Sequence, residues 1–135
     1  MRAGIVVLVF TYGLFVPSLN GQQSANDTTP AVVVQRFVDA ANARDLDAMI
    51  ATLAPKAAFR ALPTGTSIAT GRDSVRAYYD RLFQRTPPEF RVHVASRISD
   101  GAFVVEFELF TGTSATMIRQ ATWIYHVTHG AIQNA

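Results

Sequence analysis

Apolar residues recur every three or four positions over residues 30–43. Val33, Phe37 and Ala41, flanked by Val34 and Val38, form one broad stripe, with Gln35, Arg36, Asp39 and Asn42 largely off it. That spacing predicts a helix opened by Thr29 as N-cap, with Pro30 at the first helical position, where its missing N–H costs nothing. Asn42-Ala43-Arg44-Asp45 interrupts the stripe. Asp45 is placed to cap a second helix over 46–53, whose Leu46, Met49, Ile50 and Leu53 point to one side and which Ala54-Pro55 ends. A strand over 56–62 follows, Pro63-Thr64-Gly65-Thr66 turns the chain, and residues 67–70 return as a short strand. Gly71-Arg72-Asp73 opens a third helix to Arg85, with a stripe of Val75, Tyr78, Tyr79, Leu82 and Phe83, and Thr86-Pro87-Pro88 stops it.

Beyond Pro88 the period drops to two, the mark of a strand meander. Phe90, Val92, Val94, Ser96 and Ile98 alternate with Arg91, His93, Ala95 and Arg97, and Ser99-Asp100-Gly101 is a hairpin signal. In the next strand Phe103, Val105, Phe107 and Leu109 oppose Val104, Glu106, Glu108 and Phe110. Residues 111–115 turn again, a long strand covers 116–128, and His129-Gly130 turns into a last strand over 131–135. Glu106 and Glu108 share a face. Neighbouring same-face carboxylates are common on wet sheet surfaces, and Arg91, His93, Arg97 and Arg119 are available as cross-strand partners, so the pair reads as surface ion pairing. Three helices ahead of an antiparallel sheet make an α+β architecture with the helices on one face.

Composition narrows the class. At 135 residues and 49% apolar content there is material for one domain and one core. Residues 1–21 read as a secretory signal: Arg2 is followed by an apolar run over 3–16, Pro17 breaks it, and cleavage is expected after Gly21. The run is shorter than the roughly 20 residues of a spanning helix, so no stable membrane anchor is expected. Residues 22–28 are a polar leader, and 29–135 form the folded domain, exported to the periplasm or the extracellular space. There is no cysteine, which excludes disulfides, a thiol nucleophile and cysteine-held metals. Eleven of the twelve basic residues are Arg, scattered without a run, which argues against a nucleic-acid surface. His93, His126 and His129 lack metal-ligand spacing, so neither a metal nor a cofactor is expected.

The run VVQRFVDAANARDLD, followed by an AxF strand that ends near a proline and a glycine, resembles the opening of the nuclear transport factor 2-like superfamily. That superfamily includes ketosteroid isomerases and SnoaL-like cyclases. The resemblance implies a cone-shaped fold, with three N-terminal helices packed on a curved antiparallel sheet around a pocket. It also maps the isomerase's tyrosine onto Phe37, its base onto Ala61 beside Arg60, and its late-strand acid near Thr122. None of these can perform the isomerase's task. If Thr122 faces the pocket, alternation brings Gln120, Ile118, Ile124 and His126 to the same side. The expected pocket is then Phe37, Phe59, Ala61, Phe103, Val105 and Phe107, with Gln120, Thr122 and His126 as its polar groups. Trp123 and Tyr125 fall on the other face, with Met117, Arg119 and Ala121, where the resemblance implies a homodimer contact.

Three functions remain. The first is a secreted SnoaL-like module binding a small hydrophobic molecule without isomerase chemistry. The second is an isomerase, lyase or cyclase with His126 as general base. The third is a non-catalytic association domain. The empty isomerase positions favour the non-catalytic readings.

Overall fold

The computed structural model describes residues 27–114 and 118–135; the expected signal segment and residues 22–26 of the leader lie outside them. The elements run α1 (Pro30–Ala43), α2 (Leu46–Ala51), β1 (Leu53–Ala61), β2 (Thr66–Thr70), α3 (Arg72–Arg85), β3 (Arg91–Asp100), β4 (Phe103–Thr111), β5 (Gln120–Thr128) and β6 (Ala131–Asn134). Among the described residues no helix is long and apolar enough to cross a membrane.

The helices follow the apolar stripes. α1 buries Val33, Val34, Phe37, Val38 and Ala40. Its valines are poor intrinsic helix formers, so the helix is held by that burial rather than by propensity. Thr29 sits at the N-cap without a side-chain capping bond, its own N–H donating to Asp27 Oδ1 at 2.9 Å. Arg44 ends the helix in the left-handed conformation, φ 56°. Asp45 caps α2 by accepting from the Ala48 N–H at 2.9 Å. α2 stops earlier than the proline predicts, because the Thr52 hydroxyl donates to the Met49 carbonyl and β1 already begins at Leu53. Pro55 therefore lies exposed in β1, ahead of the ladder with β2 that starts at Ala58, where its missing donor is harmless.

All six strands join one sheet in the order β2-β1-β6-β5-β4-β3. The expectation of a wholly antiparallel sheet is corrected: β6 lies parallel to β1 while pairing antiparallel with β5, so the sheet is mixed. The helices cover one face. Phe37 meets Phe59, Tyr79 and Tyr125 edge-on, with ring centroids 5.9, 5.6 and 6.2 Å away. Phe59, Met49, Leu53 and Ile132 are fully buried around this cluster. Burial of each such side chain is worth about 1.5–3 kcal/mol.

The face assignment of β3, β4 and β5 is the main departure from the alternation. Val104, Glu106 and Glu108 of β4 and Tyr125 and Val127 of β5 are buried under the helices. Phe103, Phe107, Leu109 and Ile124 stand on the outer face, exposed. Two features produce this. The aromatic side chains of β5 are the ones that meet Phe37 and Phe59. In addition, β3 carries a bulge between Val94 and Ser96, where Val94 pairs with Glu108 and Ser96 with Phe107. The extra residue, Ala95, shifts the phase of the strand by one. Val92 thus faces inward before the bulge, Arg97 turns inward beside Glu106 after it, and Ile98 is left 67% exposed.

Candidate functional site

A cavity of about 430 Å³ lies between α1, α3 and the inner face of β3–β5. Phe37, Val38 and Ala41 form the α1 side, and Tyr78, Tyr79, Leu82 and Phe83 the α3 side. The sheet contributes Val92, Glu108, Phe110, Trp123 and Tyr125, with Phe90 and Ile118 at the loops. Glu108 is the one carboxyl among the described lining residues, and no Lys, Arg or His lines the space there.

Two side chains of the α1–α2 joint hold the α1 wall in place. The Asn42 amide pairs with the backbone of Val92 on edge strand β3, donating to its carbonyl at 2.9 Å and accepting its N–H at 2.7 Å. It acts there as a one-residue extension of the sheet and covers part of the open edge. The Arg44 guanidinium donates to the carbonyls of Phe83 at 2.7 Å and Thr86 at 3.1 Å, and also to that of Pro87. It lies over the Phe83 ring at 5.5 Å from the centroid.

The chemistry sits on β4. Glu106 is wholly buried, and its Oε1 accepts from Arg97 Nε at 2.5 Å, with the Arg97 terminal nitrogen also 2.5 Å away. Its other oxygen, Oε2, is buried with no hydrogen-bond partner. Glu108, two residues on and on the same face, is 3% exposed. Burial, followed by the hydrogen bond and negative charge of Glu106, pushes the Glu108 carboxyl up to about 8. The Tyr125 hydroxyl, 3.5 Å from Glu108 Oε1, and Trp123 oppose that rise by hydrogen bonding to the charged form. Glu108 is therefore mainly protonated at neutral pH, its side chain hydrogen-bonded to that of Glu106. Arg97 is the ion-pair partner of Glu106. Burial also raises Tyr79 and Tyr125 well above the usual phenol range, so both stay neutral.

Residues 34–135 match the SnoaL-like domain. The chain belongs to the SnoaL-like domain family. No curated protein sequence matches it. Solved structures similar to this SnoaL-like chain share the fold at low identity. An uncharacterized cystatin-fold protein from Novosphingobium aromaticivorans is 15% identical with a TM-score of 0.69, covering 78% of this chain and 94% of the other. A SnoaL-like protein of unknown function from Burkholderia thailandensis is 18% identical with a TM-score of 0.63, covering 78% and 89%. An NTF2-like protein of unknown function from Cytophaga hutchinsonii is 20% identical with a TM-score of 0.62, covering 82% and 88%.

Within this SnoaL-like fold the expected site residues divide. Phe37 lines the cavity, and Phe59 lies in the core beneath Trp123, ring centroids 6.0 Å apart. Ala61 pairs with Thr66 at the far end of β1, away from the cavity lining. Phe103, Val105, Phe107, Gln120 and Thr122 are corrected to the outer face, as partners of one another and of His126 across β4 and β5. The His126 ring stacks on Phe103 at 4.8 Å, on the side of the sheet away from the cavity. Ile118, grouped with them by alternation, does line the cavity, because it precedes the start of β5. Trp123 and Tyr125, expected on an outward interface, are inside. His93 is exposed and shares a hydrogen bond with Thr111 at 3.0 Å, and His129 occupies the left-handed position of the last turn, φ 52°.

Three contributors escaped the sequence reading: Glu108, Asn42 and Arg44. A signal for the first was present in β4, where inward glutamates leave Phe103, Val105, Phe107 and Leu109 together outside. A face that apolar is as consistent with a covered outer surface as with a core. Asn42 and Arg44 carried no comparable signal, because both act on backbone groups about 40–50 residues away. Among the described residues no cluster of His, Asp and Glu could hold a metal.

Proposed function

We propose that this SnoaL-like protein binds a small, largely apolar molecule in the helix–sheet cavity, oriented by one polar contact to Glu108. One observation carries the reading: an aromatic-walled space of about 430 Å³ enclosing a single carboxyl among its described lining residues. Small-molecule sites commonly take this form, apolar walls with few placed polar groups in ≈ 300–1,000 Å³. The catalytic alternative through His126 lacks support, since that ring lies on the opposite face of the sheet. Native mass spectrometry of protein purified from its own host tests the binding reading. A released molecule at one per chain is expected, and Ala121→Trp, which fills the cavity from β5, should abolish it. A host-purified protein that carries nothing, and binds nothing from an apolar compound panel, would refute it.

The association reading is also retained, with a different surface. Ile98, Phe103, Phe107, Leu109 and Ile124 form an outer-face patch, each exposed by 36–67%. In place of Trp123 and Tyr125, this patch is proposed to pack on a second copy of the chain about a two-fold axis. Export through residues 1–21 is proposed on sequence grounds; N-terminal sequencing of exported protein should begin at Gln22.

A further inference from the structure

The wall chemistry narrows the ligand class, and this step rests on the binding reading above. We propose that the cavity selects an organic monocation, a tertiary or quaternary ammonium with apolar substituents, using the Glu108 carboxylate as counter-ion and aromatic ring faces as its other contacts.

Three observations support this choice. Tyr78, Phe90, Phe110, Trp123 and Tyr125 all line the same space, as does Phe83, whose ring already has Arg44 over it at 5.5 Å. Ring faces carry negative potential and attract ammonium groups, most strongly when water is excluded. No basic side chain among the described lining residues competes for Glu108 or repels a cation. Glu108, for its part, is a poor donor to a neutral carbonyl ligand. Its side chain is already engaged in a hydrogen bond with that of Glu106, buried two residues away on the same face.

The groups around Glu108 determine how binding varies with pH. β4 and β3 present Glu106 and Arg97, paired with each other. β5 presents Tyr125 and α3 presents Tyr79, both held neutral by burial. α1 presents only Phe37, Val38 and Ala41 to the cavity. Glu108 is thus the group that changes charge, releasing a proton as the cation enters. With its free-state value at about 8, cation affinity should rise about tenfold per pH unit up to that point and then level off. A quaternary ammonium has no proton of its own to confuse the profile.

The test uses a pair of probes of one shape, benzyltrimethylammonium and its neutral carbon counterpart neopentylbenzene. The chain's single tryptophan, Trp123, lines the cavity and reports occupancy by fluorescence. Benzyltrimethylammonium should saturate the signal, at least tenfold more tightly at pH 9 than at pH 6.5. Glu108→Gln, which keeps shape and hydrogen bonding, should weaken it by at least tenfold at pH 9 while leaving neopentylbenzene unchanged. Binding of the neutral probe alone, or cation binding indifferent to both pH and Glu108→Gln, overturns the monocation class and leaves the apolar pocket standing. If neither probe is bound, the monocation class falls, and an empty host-purified protein then removes the pocket reading with it.

Discussion

Glu108 couples the cavity to the stability of the whole chain. Its folded-state carboxyl titrates at about 8, against 4.5 for a free glutamate. Between those values the native state keeps a proton that the unfolded state has released. Stability therefore falls as pH rises through this window and levels off above it, by an amount on the order of a few kcal/mol. Urea unfolding at pH 5 and pH 9 should show the wild-type midpoint dropping. Glu108→Gln should flatten that drop and exceed wild type at pH 9; equal slopes for the two proteins would contradict the assignment. The core residue Phe59, fully buried among Phe37, Tyr79 and Trp123, has no titrating function. Phe59→Ala should cost about 3–5 kcal/mol at any pH, read from the same denaturation curves. Arg44 differs again, since its guanidinium serves backbone carbonyls at the end of α3 and in the loop that follows. Arg44→Ala should lower stability and loosen the Phe83 wall, measured as faster amide exchange across residues 83–87.

At the scale of elements, the helices and most strand limits could be read from the chain, whereas the inward face of the sheet could not. Apolar periodicity located α1 and α3, and Asp45 marked α2, because local burial and capping decide those features. The faces of β3–β5 depend on one inserted residue, Ala95, and on which aromatic side chains α1 selects. Neither follows from alternation, which is the same for both faces when each is apolar. The carboxyl pair was visible as a pair, and its place in the cavity was not, because burial of Glu106 requires Arg97 to arrive after the bulge. Conversely, α1 depends on the sheet: an isolated peptide of residues 30–43 should give a coil-like circular dichroism spectrum in water, since its valines disfavour helix and its length is marginal. Just after β4, Gly112, φ 68°, lies against the Glu89–Phe90 backbone with no room for a Cβ. Gly112→Ala should displace the Phe90–Phe110 contact, now 5.6 Å between centroids, and weaken ligand binding more than it lowers the thermal midpoint.

The molecule as a whole presents two unlike sheet faces, one enclosing a buried acid in aromatic walls and one carrying uncovered aliphatic and phenylalanine side chains. Light scattering should give twice the chain mass at micromolar concentration, and Phe103→Lys with Ile124→Glu should return it to one. A wild-type monomer well above micromolar concentration would remove the association proposal without touching the cavity. The order of strands carries a further consequence. β6, residues 131–134, is the seam between β2-β1 and β5-β4-β3. Ala135 extends the seam, exchanging backbone hydrogen bonds with Arg60 and Ala58 at 2.8 and 3.1 Å. During synthesis, every other strand leaves the ribosome before this one. Without it β1 and β5 are bare edges and the sheet is two separate pieces, so the fold can close only once the last of its strands is in place.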